Sequence, residues 1–142
     1  MYLTTPPAMQ PRMIMQFDRE LIAASTSVLI LSILNRKAAG GSPLRSYGYA
    51  IIKEVAALSL DRLSWTDGML YPVLHRLEHN GFVQSQWQRS ESGRRRKYYR
   101  ITSVGTEELA RLKIQWSSVD SIVRSSWAAS EGQEYHASEE KE

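Results

Sequence analysis

The stretch TDGMLYPVLHRLEHNGFVQSQWQRSESGRRRKYYRIT, residues 66–102, decides the fold. Its first part predicts a helix. Thr66 can cap it, Asp67 suits the positive end of the helix dipole, and Gly81 after Asn80 supplies a left-handed stop. Leu70, Leu74 and Leu77 then share one face. Pro72 is the anomaly, because in the second turn its ring presses on the carbonyl of residue i−4. That residue is Gly68, where the backbone is freest to bend. Past the stop, residues 82–87 read as a strand with Val83 and Trp87 on one side. SESG is a turn, and residues 97–102 return as a second strand. Tyr99 and Ile101 point inward by period two, which leaves Arg96, Tyr98 and Arg100 facing solvent or a ligand.

Upstream, a helical pattern begins at Asp18. Leu21, Ala24, Val28, Leu31 and Asn35 follow a three-four spacing, and Ile22, Leu29, Ile30, Ile33 and Leu34 fill further faces. Such a helix is expected to be buried on two sides, by its own domain and by a second chain. KAAGGSP, residues 37–43, is a linker. A second helix is expected over about 47–58, with Tyr49, Ile52, Val55 and Ala56 as its apolar face, followed by the turn SLDRLSW. Downstream, a long helix covers about 103–127. Its seam, Leu109, Leu112, Trp116, Val119 and Val123, has the spacing of a coiled coil, which suits pairing with another helix.

The organisation that follows is an N-terminal arm over 1–17, a DNA-binding unit over 18–102, a dimerisation helix over 103–129 and an acidic tail over 130–142, expected to be disordered. The fold class is mainly α with a small β-hairpin. Helix, helix, turn, helix and β-ribbon, in that order, make a winged helix-turn-helix, in which the second helix of the motif enters the major groove.

Composition agrees. The 142 residues carry a net charge of +3 with no cysteine, which excludes disulfides, zinc-finger chemistry and thiol catalysis. No apolar run of spanning length and no signal-like N-terminus stand out, so the chain reads as cytosolic. The small net charge hides an asymmetry. Arg89, Arg94, Arg95, Arg96, Lys97 and Arg100 face only Glu91, whereas past residue 130 five glutamates face Lys141.

GMLYPVLHRLEHNGFVQSQW, then ESGRRRKYYRIT and the following VG, with SYGYAIIKEV upstream, resemble the PadR family of bacterial transcriptional regulators over about 28–127. The resemblance implies a homodimeric repressor on a pseudo-palindromic operator, dimerised through the last helix and acting in the bacterial cytoplasm at the nucleoid. A single helix after the ribbon is similar to the short-tailed branch that holds the multidrug-resistance regulators. There a tryptophan and an aspartate on the last helix line a ligand cavity at the dimer interface; IQWSSVD, residues 114–120, places Trp116 and Asp120 correspondingly.

Candidate DNA-facing residues follow. On the third helix they are Thr66, Asp67, Gly68, Met69, Tyr71, Pro72, His75 and Arg76, with base contact expected near the N-terminus. On the ribbon they are Arg94, Arg95, Arg96, Lys97, Tyr98 and Arg100, which suit phosphates and hence affinity more than sequence choice. Ser46, Tyr47 and Lys53 on the second helix add backbone contacts, since helix N-termini suit phosphate. For an effector, Trp116 faces paired across a two-fold axis would sandwich a planar aromatic compound. Asp120 would lie beside it, with Leu21, Ala24, Val28 and Ser32 as the wall; the alternative is a filled dimer core without effector. A buried Asp120 would need a partner, which Arg124, the first helix or the ligand could supply.

No cofactor, metal or membrane partner is expected. His75 and His79 stand at i, i+4 without a third ligand, and no phosphate loop, nucleophile elbow or carboxylate pair marks an enzyme. A protein-interaction module with an acidic partner is the competing class, and duplex-binding preference separates the two. Operator, regulated genes and inducer are not written in the sequence.

Overall fold

The computed structural model describes residues 17–39 and 46–141, with side chains as far as residue 128. The expected arm lies outside them except at Phe17, as do residues 40–43 of the expected linker, whose first three residues instead continue the first helix. The elements run α1 (Arg19–Ala39), β1 (Ser46–Tyr47), α2 (Gly48–Leu58), α3 (Asp67–His79), β2 (Val83–Arg89), β3 (Arg95–Ile101) and α4 (Ser103–Lys141).

Helix α3 begins and ends where its caps predict. Thr66 Oγ1 accepts from the Met69 amide at 3.3 Å. Gly81 takes a φ of +80°, and the Gly81 and Phe82 amides return to the carbonyls of Glu78 and Leu77. A glycine is suited to that stop because a Cβ would crowd the backbone in this region. Leu70, Leu74 and Leu77 are buried together, as their spacing requires. Pro72 stays within the helix. The carbonyl that proline leaves without its i+4 donor is that of Gly68, on the exposed side of the helix.

The core joins these leucines to Ile30, Leu31, Ile33 and Leu34 of α1, Ile51 and Val55 of α2, Trp65, Val83, Tyr99 and Leu109. Two expectations change. The inner face of α2 is Gly48, Ile51 and Val55; Tyr49, assigned inward, is 60% exposed, because the buried stripe runs through 48, 51 and 55 and Tyr49 lies about 100° around the helix from Gly48. In α1 burial is concentrated in the second half, and Leu21 and Ala24 are exposed. By length and apolarity α1 also meets the measure of a membrane span, which the sequence reading did not foresee. Its Ile30–Leu34 face fills the domain core instead, and the Thr26 hydroxyl is satisfied by the Ile22 carbonyl.

The ribbon is part of a three-stranded antiparallel sheet in the order β1-β3-β2. The added strand pairs Ser46 with Tyr99 and Tyr47 with Tyr98, where sequence placed only the start of a helix. Two residues carry no readable alternation, so the strand had no signal. Thr102 closes the ribbon onto the body. Its hydroxyl donates to the Gly81 carbonyl at 2.6 Å and accepts from the Gly105 amide at 2.9 Å, capping α4.

Helix α4 runs past residue 127 to Lys141, over the stretch expected to be a disordered tail. Alanines, glutamates and a glutamine there are good helix formers, and no proline interrupts them.

Candidate nucleic-acid interface

The face of α3 opposite its leucines is built from exposed Asp67, Gly68, Met69, Tyr71, Pro72, His75 and Arg76. Small residues at 68 and 72 flatten this surface. Beside it stands the hairpin. Register places Val83, Ser85, Trp87 and Arg89 opposite Ile101, Tyr99, Lys97 and Arg95, all on one face. Near the body that face is core, with Val83 and Tyr99 buried. Beyond the body the same face continues into the open, where Trp87 is 56% exposed. Trp87 is therefore on the predicted side but not inside, because the core ends two residues earlier.

Between the free part of this face and α3 lies a groove of about 660 Å³. Tyr47 comes from β1, Gly48 and Tyr49 from the start of α2, Tyr71 and His75 from α3, and Trp87, Arg94, Arg95, Arg96, Lys97 and Tyr99 from the hairpin. Helix α2 points its N-terminus into it. Tyr47 is the cap residue but makes no side-chain capping bond, so first-turn amides remain available to an anion. The Tyr71 hydroxyl lies directly over Gly48, where a Cβ would meet its ring. Burial and then the Asp67 carboxylate push the Tyr71 phenol above its usual range, which keeps it protonated and a donor. Tyr99, at the floor, is pushed up to about 12 by burial, with Tyr71 and Glu78 adding to it.

The basic residues are not equivalent. Arg95 stacks on the Trp87 ring at 5.6 Å and Arg96 on the Tyr47 ring at 4.1 Å. Both keep their charge. Tyr98 packs edge-on against Tyr47 at 5.7 Å, so Arg96 and Tyr98 are half-buried rather than facing solvent freely. The cause is β1, which places Tyr47 against the outer side of β3. Arg100 bonds Gln84, and Lys97 lies 4.0 Å from Glu78. Arg76 donates to Ser27 of α1 at 3.0 Å. Lys53 sits 5.5 Å from the Tyr49 ring. Ser46 enters as backbone of β1. Gly48, Tyr49, Trp87 and Tyr99 line the groove but were not among the DNA-facing residues read from sequence; for Trp87 an aromatic near the open end of a hairpin was the available signal.

A second concavity, of about 270 Å³, lies between α1 and α4. Phe17, Leu21, Ile22, Ser25, Val28, Leu29, Leu63 and Trp116 line it. Of the six residues proposed for a ligand, Leu21, Val28 and Trp116 are there; Ala24, Ser32 and Asp120 are not among the lining. Asp120 is not buried. Its carboxylate is 59% exposed and takes both bonds from Arg124 Nε, one helical turn on. Along the predicted seam Leu109 is buried and Leu112 and Trp116 partly so, while Val119 and Val123 are exposed beyond the domain body. Among the described residues no cluster suited to a metal ion occurs, at His75 and His79 or elsewhere.

The model of the PadR-like transcriptional regulator family matches residues 30–111. A solved transcriptional regulator from Clostridium thermocellum superposes with a TM-score of 0.64 at 28% identity, over 74% of this chain and 95% of that one. A PadR family regulator from Eggerthella lenta gives 0.61 at 32% identity, over 73% and 82% of the two chains. An uncharacterized protein of Lysinibacillus sphaericus is 34% identical over 77 residues, 54% of this chain and 71% of that protein.

Proposed function

The chain belongs to the PadR-like family of transcriptional regulators, and from that premise we propose that it is a homodimeric repressor that grips its operator in the groove between α3 and the ribbon. As a member of a family of DNA-binding regulators it is not an enzyme. The observation that carries the proposal is the groove itself. An open helix N-terminus, four tyrosines and three arginines line one cleft beside the exposed face of α3. That is the composition a phosphate backbone requires, while Thr66, Asp67 and Met69 stand where bases are read. Residues 18–102 form the DNA-binding unit and the helix from 103 to 129 the dimerisation element. The exposed Val119, Ile122 and Val123 of α4 suit a second copy, whose symmetry would match a pseudo-palindromic site. The place of action is the cytoplasm.

In this reading the α1–α4 concavity is one protomer's part of an effector site at the dimer interface, where the resemblance to the multidrug-resistance branch implies one. Its lining is almost wholly apolar, with Trp116 as the aromatic platform, and it suits a planar aromatic compound. Asp120, tied to Arg124, is left out of ligand recognition.

Two measurements test the proposal. Fluorescence anisotropy should give tighter binding to the chain's own promoter than to random duplex, with affinity falling steeply as salt rises. Equal affinity for both would remove the operator reading. Planar aromatic dyes should quench Trp fluorescence, and Trp116→Ala should abolish their binding while sedimentation still reports a dimer. Unchanged dye affinity in that variant would favour a filled core without effector.

A further inference from the structure

Glu78 leaves the last turn of α3 and reaches the base of the hairpin. Its Oε2 accepts from the Ser85 hydroxyl on β2, and its Oε1 lies 4.0 Å from Lys97 Nζ on β3. Ser85 and Lys97 occupy the same sheet face on adjacent strands, since Ser85 pairs with Tyr99 and Trp87 with Lys97. One carboxylate therefore holds both strands at the point where the hairpin leaves the body. Beyond that point the ribbon is two strands wide, because β1 reaches only Tyr98 and Tyr99. A free two-stranded ribbon is marginal by itself, so its angle to α3 depends on such anchors.

Charge makes the placement informative. Glu78 is an acid beside a basic cleft, and by charge alone it opposes phosphate binding. Its partner Lys97 is 28% exposed and lies 5.7 Å from the buried Tyr99 ring, so it points along the base of the ribbon. We propose that Glu78, with Ser85 and Lys97, is a positioning clamp that sets the spacing between the arginines of the ribbon and α3. Lys97 belongs to this clamp and is not a phosphate ligand. The inference rests on the DNA-binding reading above.

The test measures duplex affinity over a range of salt for the full-length protein and for Glu78→Leu, Glu78→Gln, Lys97→Met and Arg95→Ala. Hydrogen exchange of the ribbon amides is followed in the same proteins without DNA. Glu78→Leu should weaken binding about tenfold, the scale of a lost charge-assisted hydrogen bond, although it removes a negative charge. Ribbon amides should exchange faster. Glu78→Gln keeps an oxygen for Ser85 and should recover much of the loss. Lys97→Met should weaken binding equally at every salt concentration, whereas Arg95→Ala should reduce the salt slope by about 1.8, the loss of one phosphate contact from each ribbon of the dimer. The proposal is overturned if Glu78→Leu binds more tightly than the parent, or if Lys97→Met reduces the slope as much as Arg95→Ala. If Glu78→Leu does not fold, the glutamine and methionine variants decide. If the parent binds no duplex, the DNA-binding reading fails, and the exchange measurement alone judges the clamp: unchanged ribbon amides refute it.

Discussion

Tyr99 offers the sharpest check on the packing beneath the groove. Its ring is fully buried, and its hydroxyl has no hydrogen-bond partner among the described residues. A buried, unpaired hydroxyl costs about 1–3 kcal/mol relative to water. Tyr99→Phe removes that cost and leaves a void of roughly one oxygen atom, which returns only a few tenths of a kcal/mol. The variant should therefore be more stable by about 1 kcal/mol at pH 8, or roughly 4 °C in Tm. The pH dependence sharpens it. The folded-state phenol is raised from 10.0 to about 12. Below pH 10 the group is neutral in both states and the raised value has no effect on stability relative to neutral pH. Between pH 10 and 12 the unfolded chain ionises while the folded one resists, so stability is lost as pH rises. The phenylalanine variant lacks this loss, and its advantage should grow by about 1.4 kcal/mol at pH 11. Urea denaturation at pH 8 and pH 11, at one protein concentration, measures both. A variant less stable than the parent at pH 8, or an advantage that stays constant with pH, would refute the reasoning.

Two glycines give contrasting expectations. At Gly105 a Cβ would lie 2.8 Å from Ile101 Cγ1 and closer still to the Phe82 carbonyl, which already accepts from the Thr102 amide. Backbone cannot yield there, so Gly105→Ala should destabilise by about 2–3 kcal/mol in urea denaturation; a change within about 0.5 kcal/mol would contradict the packing. At Gly48 the obstruction is the tip of Tyr71, whose ring is partly exposed and can swing away. Gly48→Ala should leave stability within about 1 kcal/mol yet weaken duplex binding about tenfold, as Tyr71→Phe should, because the phenol is displaced from the α2 N-terminus. Parent-like duplex affinity in both variants would remove Tyr71 from the phosphate-binding set.

Helix α3 and the ribbon were legible because they carry their own boundary chemistry, whereas the end of α4 had no stop signal to read. Thr66, Gly81 and three leucines on one face specify α3 without help from the rest of the chain, and Tyr99 and Ile101 orient β3. What escaped was set by tertiary position. Trp87 obeys period two and lies on the core side of its strand, yet the core stops short of it, and no local pattern marks that limit. Asp120 takes Arg124 as its partner, one of the three that the sequence offered, and only the fold shows which. Tyr47 became a strand residue through pairing with Tyr98, a contact across fifty positions that periodicity does not encode.

The same distinction governs the basic ribbon, where a count of charges overstates what can meet DNA. Six basic side chains between residues 89 and 100 suggest as many phosphate contacts. In the clamp proposed above Lys97 faces Glu78 at 4.0 Å, and Arg100 donates to Gln84. Arg89 sits at the end of β2, opposite Arg95, and does not line the groove. Arg94, Arg95 and Arg96 remain at its edge, two of them braced on aromatic rings that fix direction without removing charge. Three phosphates per ribbon, and two ribbons in a dimer, correspond to a slope of about −5 in log K against log salt from the ribbons, where six contacts on each would give about −11. The two values are far enough apart for a salt titration to separate them. A slope of about −9, five contacts on each ribbon, would mean that the Glu78 and Gln84 contacts open when DNA binds.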